Sequence, residues 1–378
     1  MSIEIVFCGS VALLFLFYGV VHILTLIGLR RLRSGDHAVS TDQPRFSVIV
    51  AARNEESNIG HCLQSLVNQN YDTDLFEIVV VDDRSTDATG AIVKNYRSRY
   101  PYIQLIELTS VSSDLPAKKN ALTEAISRSK FDILAFTDAD CAASPGWLTS
   151  LAKEYAPHIG VVAGYSPIEQ RFLRSFLARW GDFFLRYLEI KNSLGAAAAV
   201  ELGKAYLCTG RNFSYRKRVF DEVGGFEKIK HSISGDDDLF IQLVQRETRW
   251  KIAYMTSPES FVETIPPSSL RDFINQRKRH FSAGKYYAPQ MKFILALIHS
   301  FNALALLSLF LYPSFGVIVV ALKIASDAMI FYQGTLLFGN RRLVRSIFPL
   351  ELASVVYNLV IGPIGYVGTF SWKGRGSQ

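Results

Sequence analysis

Acidic residues follow two short β-branched runs, and their chemistry depends on whether the two strand ends share one edge of a sheet. Asp82 and Asp83 come directly after the run Ile78 to Val81, and Asp138 and Asp140 end the stretch FDILAFTDAD. Ligands of open α/β sheets bind in the crevice at the carboxyl ends of the strands. There the first pair can accept hydrogen bonds from a base or a ribose, or hold a metal. An Asx turn with a helix cap is the alternative.

Asp138 and Asp140 have a spacing that suits a divalent cation. In an extended chain, alternation would point both carboxylates to the same side. Mg²⁺ usually takes one or two protein carboxylates, keeps several waters and shares its other positions with substrate phosphates. The pair therefore predicts a Mn²⁺ or Mg²⁺ site, with an ordinary surface turn as the alternative.

A third acidic stretch, SGDDDLFIQLVQR, contains three consecutive aspartates, Asp236, Asp237 and Asp238. Acidic residues in the first turn of a helix interact favourably with the helix dipole, which accounts for one or two of them. Like charges this close raise the pKa of at least one carboxyl, and a raised pKa is expected of a general base. The triplet therefore predicts a catalytic base.

An α/β domain is needed to position these carboxylates, and alternating strand-like and helix-like segments predict one over residues 43–265. The predicted strands are Phe46 to Ala51, Glu77 to Val81, Ile103 to Leu108, Ile133 to Thr137 and Val161 to Ala163. The first strand ends in VIVAARNEESN, where small and polar residues, including Ala51 and Glu55, let a ligand approach the backbone. The helix that follows has an apolar stripe of Ile59, Cys62, Leu63, Leu66 and Val67, which is typical of packing on a sheet.

An uncharged apolar segment precedes this domain. Ile5 to Leu29 is long enough to span a membrane, and Arg30, Arg31 and Arg33 follow it directly. The positive-inside rule places that end in the cytoplasm. We therefore expect an integral membrane protein with residues 1–33 as a retained anchor and a cytoplasmic catalytic domain, in the plasma membrane if the protein is bacterial.

Charge and cysteine content limit the partners. The net charge is +7, and much of the basic excess lies beside apolar segments. This favours anionic lipid headgroups or phosphates over nucleic acid. The sequence also has no interleaved basic and aromatic stretch typical of RNA binding. The four cysteines have no metal-ligand spacing, which argues against a zinc site and suits a reducing compartment.

The C-terminal part is predicted to be interfacial and then membrane-spanning. Residues 266–290 predict an amphipathic helix with Leu270, Phe273, Ile274 and Phe281 on its apolar face and Arg271, Arg277, Lys278 and Arg279 elsewhere. Residues 291–378 predict two to three spans. A full third span would place Lys373 and Arg375 outside, against the charge bias. Pro349, Pro363 and nearby glycines make a kinked or re-entrant segment the alternative.

Two charged residues lie inside the second of these spans. Lys323 and Asp327 are four residues apart, so on a helix they share a face and can neutralise each other. They either stabilise the packing of the spans or line a path for the headgroup of an acceptor that enters from the bilayer.

Seven motifs in register carry a resemblance to a known family. They are AARNEE, VVDDRSTDAT, AKKNAL, FTDAD, TGRNFSYRK with VGGF, GDDDL and QRKRH. Between about Arg45 and Tyr287 the sequence resembles the membrane-integrated family 2 glycosyltransferases, a group with the cellulose, chitin and hyaluronan synthases and ceramide glucosyltransferase. The resemblance implies a GT-A fold, the Rossmann-like domain of nucleotide-diphospho-sugar transferases, inserted between transmembrane helices. It also implies inverting transfer from a nucleotide sugar, with a UDP-sugar as the expected donor and a lipid or lipid-linked acceptor.

The resemblance also assigns roles to individual positions. On the donor side it implies contacts with the nucleotide, its base or its diphosphate from Ala51, Glu55, Asp82 or Asp83, Lys118, Asp138, Gln276 and Arg279. Asp138 and Asp140 match the DxD pair that binds diphosphate through the metal. On the acceptor side it implies Arg211, Asn212, Asp238 and His280.

Two positions depart from the family pattern. The leucines after the acidic triplet align Asp236 with the family's base, whereas a contiguous acidic pair favours Asp237. We predict Asp237 as the base, with Asp236 as the alternative. His280 stands where the QxxRW motif of the family usually has tryptophan, and an imidazole offers an acceptor sugar a smaller face.

Inverting transfer needs a base for the acceptor hydroxyl and an electrophile for the departing diphosphate, and the sequence offers both. The short C-terminal membrane region and His280 favour single addition over the alternative, a processive polysaccharide synthase. An inactive membrane scaffold with the same fold is a minor alternative. A Rossmann dehydrogenase is disfavoured because no GxGxxG follows the first strand.

Overall fold

Strands and helices alternate along the residues that the computed structural model describes, which are 2–34, 43–110, 114–170, 175–367, 371–372 and 375–376. The strands are β1 (Phe46–Ala52), β2 (Phe76–Asp82), β3 (Ile103–Glu107), β4 (Ile133–Asp138), β5 (Cys141–Ala143), β6 (Ile159–Gly164), β7 (Phe213–Arg216), β8 (Lys251–Met255), β9 (Val262–Thr264), β10 (Ser371–Trp372) and β11 (Arg375–Gly376). The helices are α1 (Ile3–Ser34), α2 (Ile59–Val67), α3 (Thr89–Arg99), α4 (Ala117–Arg128), α5 (Trp147–Glu154), α6 (Phe176–Glu201), α7 (Lys217–Val223), α8 (Asp238–Glu247), α9 (Leu270–Ala283), α10 (Pro289–Leu311), α11 (Pro313–Phe338) and α12 (Ile347–Val367).

Seven strands form one mixed sheet in the order β3-β2-β1-β4-β7-β6-β8. Neighbours are parallel except at β7, which runs antiparallel to both β4 and β6. In this register Ala51 of β1 lies between Val81 of β2 and Asp138 of β4. The carboxyl ends of three parallel strands therefore meet at one edge, and the predicted α/β fold is confirmed.

All five predicted strands are present, with ends within two residues of the predicted ones. Their side chains alternate between two buried clusters, one on each face of the sheet. Val48, Val50 and Ile78 pack against α2, α3 and α5, whereas Ile49 and Val79 pack against α4, α6 and α8. Strands buried on both faces give continuous apolar runs, which is why they could be recognised from the sequence.

Four helices among the described residues are long and apolar enough to cross a membrane. They cover Ile3–Arg33, Pro289–Leu311, Pro313–Phe338 and Arg341–Gly365. The first includes the predicted anchor, and the other three correspond to the upper end of the predicted two to three C-terminal spans. α12 continues as one helix to Val367 with Pro363 inside it. Lys373 and the side chain of Arg375 lie outside the described residues.

Helix α6 connects the sheet domain to these helices and was not predicted. A Cβ at Gly28 of α1 would lie 2.5 Å from the carbonyl oxygen of Ala198 in α6, so the two backbones touch where only glycine fits. A Cβ at Gly334 of α11 would lie 2.4 Å from Leu194 of α6. α6 mixes charged, aromatic and alanine residues without a clean period, because different faces contact the sheet, α1 and α11.

Helix α9 differs from the predicted amphipathic pattern. It spans 14 residues and packs on α12, where a Cβ at Gly365 would lie 2.6 Å from the Cβ of Phe281. Leu270, predicted on the apolar face, is 73% exposed. Arg277, predicted on the polar side, is buried, and its guanidinium lies 5.3 Å from the centre of the Phe273 ring. Phe273 and Phe281 of the predicted apolar face do contact Tyr357 of α12, so the structure departs from the predicted pattern at Leu270 and Arg277.

Candidate active site

A cavity of about 1340 Å³ opens at the carboxyl edge of the sheet. Its lining includes most of the predicted site residues, namely Ala51, Glu55, Asp83, Lys118, Asp138, Asp140, Arg211, Asp236, Asp237, Asp238, Gln276, Arg279 and His280. The sheet topology brings together residues that are more than 200 positions apart. Two predicted residues, Asp82 and Asn212, do not line this cavity.

The loop after β1 is held in place by the loop after β2. The backbone N–H of Glu55 donates to the Thr89 hydroxyl at 2.8 Å, and the Asn54 side chain accepts from the Thr86 N–H at 2.8 Å. Asn54 and Arg84 both have positive φ, at 53° and 59°. Strained backbone of this kind concentrates at ligand sites, because the surrounding contacts must enforce it. The two loops thus form a rigid wall beside Ala51 and Glu55.

The acidic pair at the end of β2 divides into two roles. Asp82 is buried and accepts from the Ser85 N–H at 2.9 Å, so the Asx-turn alternative accounts for it. Of the two aspartates only Asp83 lines the cavity, so the donor-side role stays a prediction for Asp83. The Asp83 carboxylate contacts Arg53 and Arg84, and its buried Oδ2 accepts no hydrogen bond from the described residues.

Asp138 and Asp140 both line the cavity, although the chain between them is not extended. β4 ends at Asp138, and residues 139–140 form a turn before β5, so strand alternation was the wrong reason for their common orientation. Burial and Asp138 raise the pKa of the Asp140 carboxyl. Burial acts in the same direction on Asp138, but the Lys118 ammonium outweighs it and lowers the Asp138 pKa.

The donor set suits a cation that is completed by substrate. Among the described residues there is no group of three or more His, Cys, Asp or Glu side chains that could hold a metal. Two carboxylates at the rim of a large cavity leave most coordination positions to water and phosphate oxygens. This is the pattern that Mg²⁺ prefers, and it fits the predicted Mn²⁺ or Mg²⁺ site.

Two consecutive lysines of α4 organise the centre of the cavity. The Lys118 ammonium lies 3.0 Å from Asp138 and 3.1 Å from Asp236, so it joins the pair after β4 to the acidic triplet. Lys119 is fully buried and donates to the carbonyls of Ser232 and Ser234 at 2.6 and 2.8 Å. Burial lowers the pKa of Lys119 to about 8. The sequence analysis missed Lys119, which fixes the loop that leads into the triplet.

The three aspartates of the triplet have three different environments. Asp236 is buried against Lys118, which overcomes the effect of burial and lowers its pKa. Asp238 is buried and accepts from the Cys208 N–H at 3.1 Å and from the Tyr287 hydroxyl at 2.8 Å.

Asp237 is the only member of the triplet that is not buried. Its two oxygens accept from the backbone N–H groups of Gly210 and Asp238, each at 2.8 Å. Partial removal of its carboxyl from water and the neighbouring Asp236 raise the pKa of Asp237.

Helix α9 contributes Gln276, Arg279 and His280 to the wall opposite the sheet edge. Nη2 of Arg279 lies 3.4 Å from Nε2 of His280. Burial and Arg279 lower the pKa of His280 well below its ordinary value, so the imidazole is neutral near pH 7. A cationic guanidinium and a neutral ring therefore lie side by side on this wall.

Of the two residues predicted in the acceptor-side loop, only Arg211 reaches the cavity. Its guanidinium donates to Glu189 at 2.5 Å and to the Ser166 hydroxyl at 2.7 Å. Asn212 is fully buried, donates to the carbonyls of Tyr165 and Ser260, and accepts from the Trp147 indole. Asn212 therefore supports the fold and does not line the cavity, and a role on the acceptor side stays a prediction for it.

The cavity continues into the helices that flank the domain, which the motifs did not predict. Lining residues there come from α1, α6, α10, α11 and α12, and include Tyr18, His22, Tyr187, Lys191, His299, Asn302, Asp327, Tyr357 and Asn358. No sequence motif marks them, because they come from five separate segments.

A buried charge cluster lies beside this part of the cavity. The Lys323 ammonium contacts Asp327 at 2.6 Å and Glu351 at 2.5 Å, which confirms the predicted pairing and adds a second carboxylate. Lys191 contacts the same Glu351 at 2.7 Å, and the Tyr18 hydroxyl donates to Asp327 at 2.6 Å. Lys323 is buried and does not line the cavity, whereas Asp327 does, so an acceptor path along this pair stays a prediction.

Comparisons with known proteins agree with this geometry. A model of glycosyl transferase family 2 matches residues 47–224. A β-monoglucosyldiacylglycerol synthase of Synechocystis sp. is 28% identical over 257 residues, which cover 67% of this chain and 50% of the relative. The protein of the same name from Nostoc sp. is 27% identical over 270 residues, covering 68% and 55%. The chain thus spans about half the length of these relatives.

A solved structure shares the fold. The mannosyltransferase of Pyrobaculum calidifontis, in complex with GDP-Man and Mn²⁺, superimposes with a TM-score of 0.54 at 20% identity. The match covers 93% of this chain and 99% of that protein. At this identity the likeness establishes the GT-A architecture.

Proposed function

We propose, from the match of a glycosyl transferase family 2 model to residues 47–224, that the chain is an inverting, metal-dependent glycosyltransferase. It moves a sugar from a nucleotide-diphosphate sugar, with a UDP-sugar as the expected donor, to a hydroxyl of a lipid or lipid-linked acceptor. The transfer is a single addition.

The donor occupies the sheet edge in this proposal. Asp83 accepts a hydrogen bond from the base, and Ala51 and Glu55 line the nucleotide site. Lys118 and Arg279 supply positive charge to the diphosphate, and Gln276 covers the donor from α9. Support comes from the lining of one cavity by all six residues. Preorganised cations stabilise charge that develops on a leaving group, because they need no reorganisation during the reaction.

Asp138 and Asp140 are the residues that would hold Mn²⁺ or Mg²⁺. When bound, such an ion neutralises charge on the departing diphosphate as a Lewis acid. The protein's own contribution is to keep two carboxylates on the cavity wall, with the ammonium of Lys118 3.0 Å from Asp138. Lys118 thereby balances the negative charge of the site.

Asp237 is the proposed base, and its environment is the observation that carries the proposal. The carboxylate takes the proton of the acceptor hydroxyl while the acceptor oxygen bonds to the anomeric carbon. The bond from that carbon to the diphosphate oxygen breaks on the opposite face, so configuration inverts. Asp236 pairs with Lys118 and Asp238 bonds to Tyr287, whereas Asp237 is the one that remains partly exposed. A raised pKa favours the task, because a base works best when its pKa approaches the working pH.

We further propose that the protein is membrane-integrated with its catalytic domain in the cytoplasm. Four apolar helices support the first part. The basic cluster of Arg30, Arg31 and Arg33 at the end of the first helix supports the second. The names of the diacylglycerol-glucosylating relatives make a lipid acceptor the natural choice.

Product analysis tests the proposal directly. Purified protein is incubated with Mn²⁺, a panel of UDP- and GDP-sugars and a membrane lipid extract. Mass spectrometry should detect a lipid that has gained one sugar, and NMR should show an anomeric configuration opposite to that of the donor. A ladder of products would support the processive alternative, and retained configuration would contradict the mechanism. Absence of product and of donor hydrolysis would contradict the function.

A further inference from the structure

The catalytic cavity is larger than the donor requires. Pockets for single small ligands measure roughly 300–1,000 Å³, whereas this cavity measures about 1340 Å³ and reaches α10 and α12. The part of the cavity that lies among the apolar helices is lined by His299 and Asn302 of α10, among other residues. They are three residues apart, so they lie on the same face of the helix.

Asn302 has a buried polar atom that lacks a partner. Its side chain is 8% exposed, and Oδ1 accepts no hydrogen bond from the described residues. A buried polar atom without a partner is unfavourable and rare in native proteins. Because Asn302 lines the cavity, a ligand bound there can supply the missing hydrogen-bond donor.

His299 presents an acceptor beside it. Nδ1 lies 2.7 Å from the carbonyl oxygen of Leu295, and a carbonyl can only accept, so Nδ1 carries the proton. In that tautomer Nε2 is an acceptor. It is directed toward Gly362 of α12, where an added Cβ would lie 3.7 Å away. Oδ1 of Asn302 and Nε2 of His299 can therefore both accept hydrogen bonds from a ligand, and the Asn302 amide can also donate.

The charges near these residues do not call for an anion. Two cations, Lys191 and Lys323, face two carboxylates, Asp327 and Glu351, in one connected cluster. Lys292 of α10 also lines the cavity, but it is exposed and donates to the carbonyl of Lys285 at 3.4 Å. A lipid phosphate ester would bring negative charge and only acceptor oxygens to a wall that already presents acceptors. A hydroxyl-bearing, uncharged group matches both the charge and the hydrogen bonding.

The position of the two acceptors restricts the ligand further. α10 begins two residues after Tyr287, whose hydroxyl donates to Asp238, and Asn302 lies 13 residues into the helix, about 20 Å along its axis. The hydroxyl that Asp237 deprotonates therefore cannot also reach Asn302. A diacylglycerol has a single hydroxyl and would have none left for α10, whereas a glycolipid has several.

We infer that His299 and Asn302 form an acceptor subsite that binds inner hydroxyls of an uncharged glycolipid, a lipid whose headgroup already carries sugar. This inference rests on the proposed transfer function and specifies its acceptor. The two residues determine specificity and take no part in the chemistry.

Binding without catalysis tests the subsite. Native mass spectrometry in EDTA measures the binding of three lipids to the full chain: a dihexosyl dioleoylglycerol, dioleoylglycerol and dioleoyl phosphatidic acid. We expect the glycolipid to bind best. Asn302→Leu and His299→Phe should each weaken glycolipid binding about three- to tenfold, the range for one lost hydrogen bond, and leave dioleoylglycerol binding unchanged.

The melting temperature distinguishes a ligand-binding role of Asn302 from a structural one. Asn302→Leu removes an unpartnered polar atom, so its melting temperature should stay the same or rise, whereas a structural role would lower it. Ser308→Ala is the matched control on α10, because Ser308 is buried, its hydroxyl donates to the Ala305 carbonyl of its own helix, and it does not line the cavity. Its glycolipid binding should equal that of wild type.

Several results would overturn the subsite. They are equal binding of dioleoylglycerol and glycolipid, preferred binding of phosphatidic acid, and unchanged glycolipid binding in both folded variants. If the glycolipid binds as expected but receives no sugar from any donor, the subsite stands and the proposed function fails.

Discussion

The backbone N–H of Gly210 donates a hydrogen bond to the carboxylate of Asp237 at 2.8 Å. A Cβ at position 210 would lie 3.1 Å from the same oxygen, so glycine lets the loop approach this closely. The contact fixes the orientation of the Asp237 carboxylate, which is the subject of the first prediction.

Asp237→Asn should reduce sugar transfer by about 10²- to 10⁴-fold, the usual contribution of a general base, and leave donor affinity nearly unchanged. The reason is that the carboxylate acts on the acceptor. Transfer rate and nucleotide-sugar affinity are the two measurements. Asp236→Asn is the comparison. If it produces this acceptor-specific defect while Asp237→Asn remains active, the base is one residue earlier than proposed.

Asp138→Asn or Asp140→Asn should remove most turnover from a folded protein, because each carboxylate is a proposed metal ligand. EDTA should have the same effect on wild type, and added Mn²⁺ should reverse it. Asp82→Asn is the matched control, since Asp82 caps a turn outside the cavity. Full wild-type activity in EDTA would be incompatible with a metal-dependent mechanism.

The pH profile should report the environment of Asp237. Burial and Asp236 raise its pKa, and a base must be ionised, so kcat/KM for the acceptor should fall as pH decreases through that raised value. The acid limb of the profile should therefore lie above about pH 4, the ordinary pKa of an aspartate. Asp236→Asn removes the neighbouring charge and should move the limb to lower pH. A limb that stays in place or moves up would exclude this coupling.

Lys323→Met should destabilise the protein by about 3–5 kcal/mol, the usual cost of leaving a buried charge unpaired. Lys323 and Asp327 are each 4% exposed in their side chains. We expect lower melting temperature and expression, with transfer and donor hydrolysis lost together. The double variant Lys323→Met/Asp327→Leu should be less destabilised than the single one. A well-expressed Lys323→Met protein with only acceptor use impaired would instead support the acceptor-path role.

Four spans with a cytoplasmic domain place the end of the chain outside. In a Cys8→Ser background, a cysteine at Ser377, which lies outside the described residues, should be labelled from the outer side of sealed vesicles. A cysteine at Asn340, between α11 and α12, should be labelled from the cytoplasmic side. The remaining native cysteines are buried, so they should not interfere. Labelling of both positions from the cytoplasmic side would mean that α12 lies along α9 without crossing.

The sequence alone determined the strands of the catalytic domain and the residues at their ends. Apolar β-branched runs such as Ile78 to Val81 are buried on both faces, which makes them continuous and easy to recognise. The acidic residues that follow them then fall at one edge, because the strands are parallel. Lys118 and Arg279 were assigned by resemblance, and both line the cavity as expected.

Only the tertiary structure decided what each polar residue at this edge contacts. Asp82 and Asp83 are adjacent in sequence, yet one caps a turn and the other lines the cavity. Asn212 was expected beside the acceptor but is buried under Trp147, whereas His299 and Asn302 carry no motif. Local patterns record the period of a strand or helix. Which side chain is buried, paired or left without a partner depends on contacts between segments far apart in the chain, and no local pattern contains them.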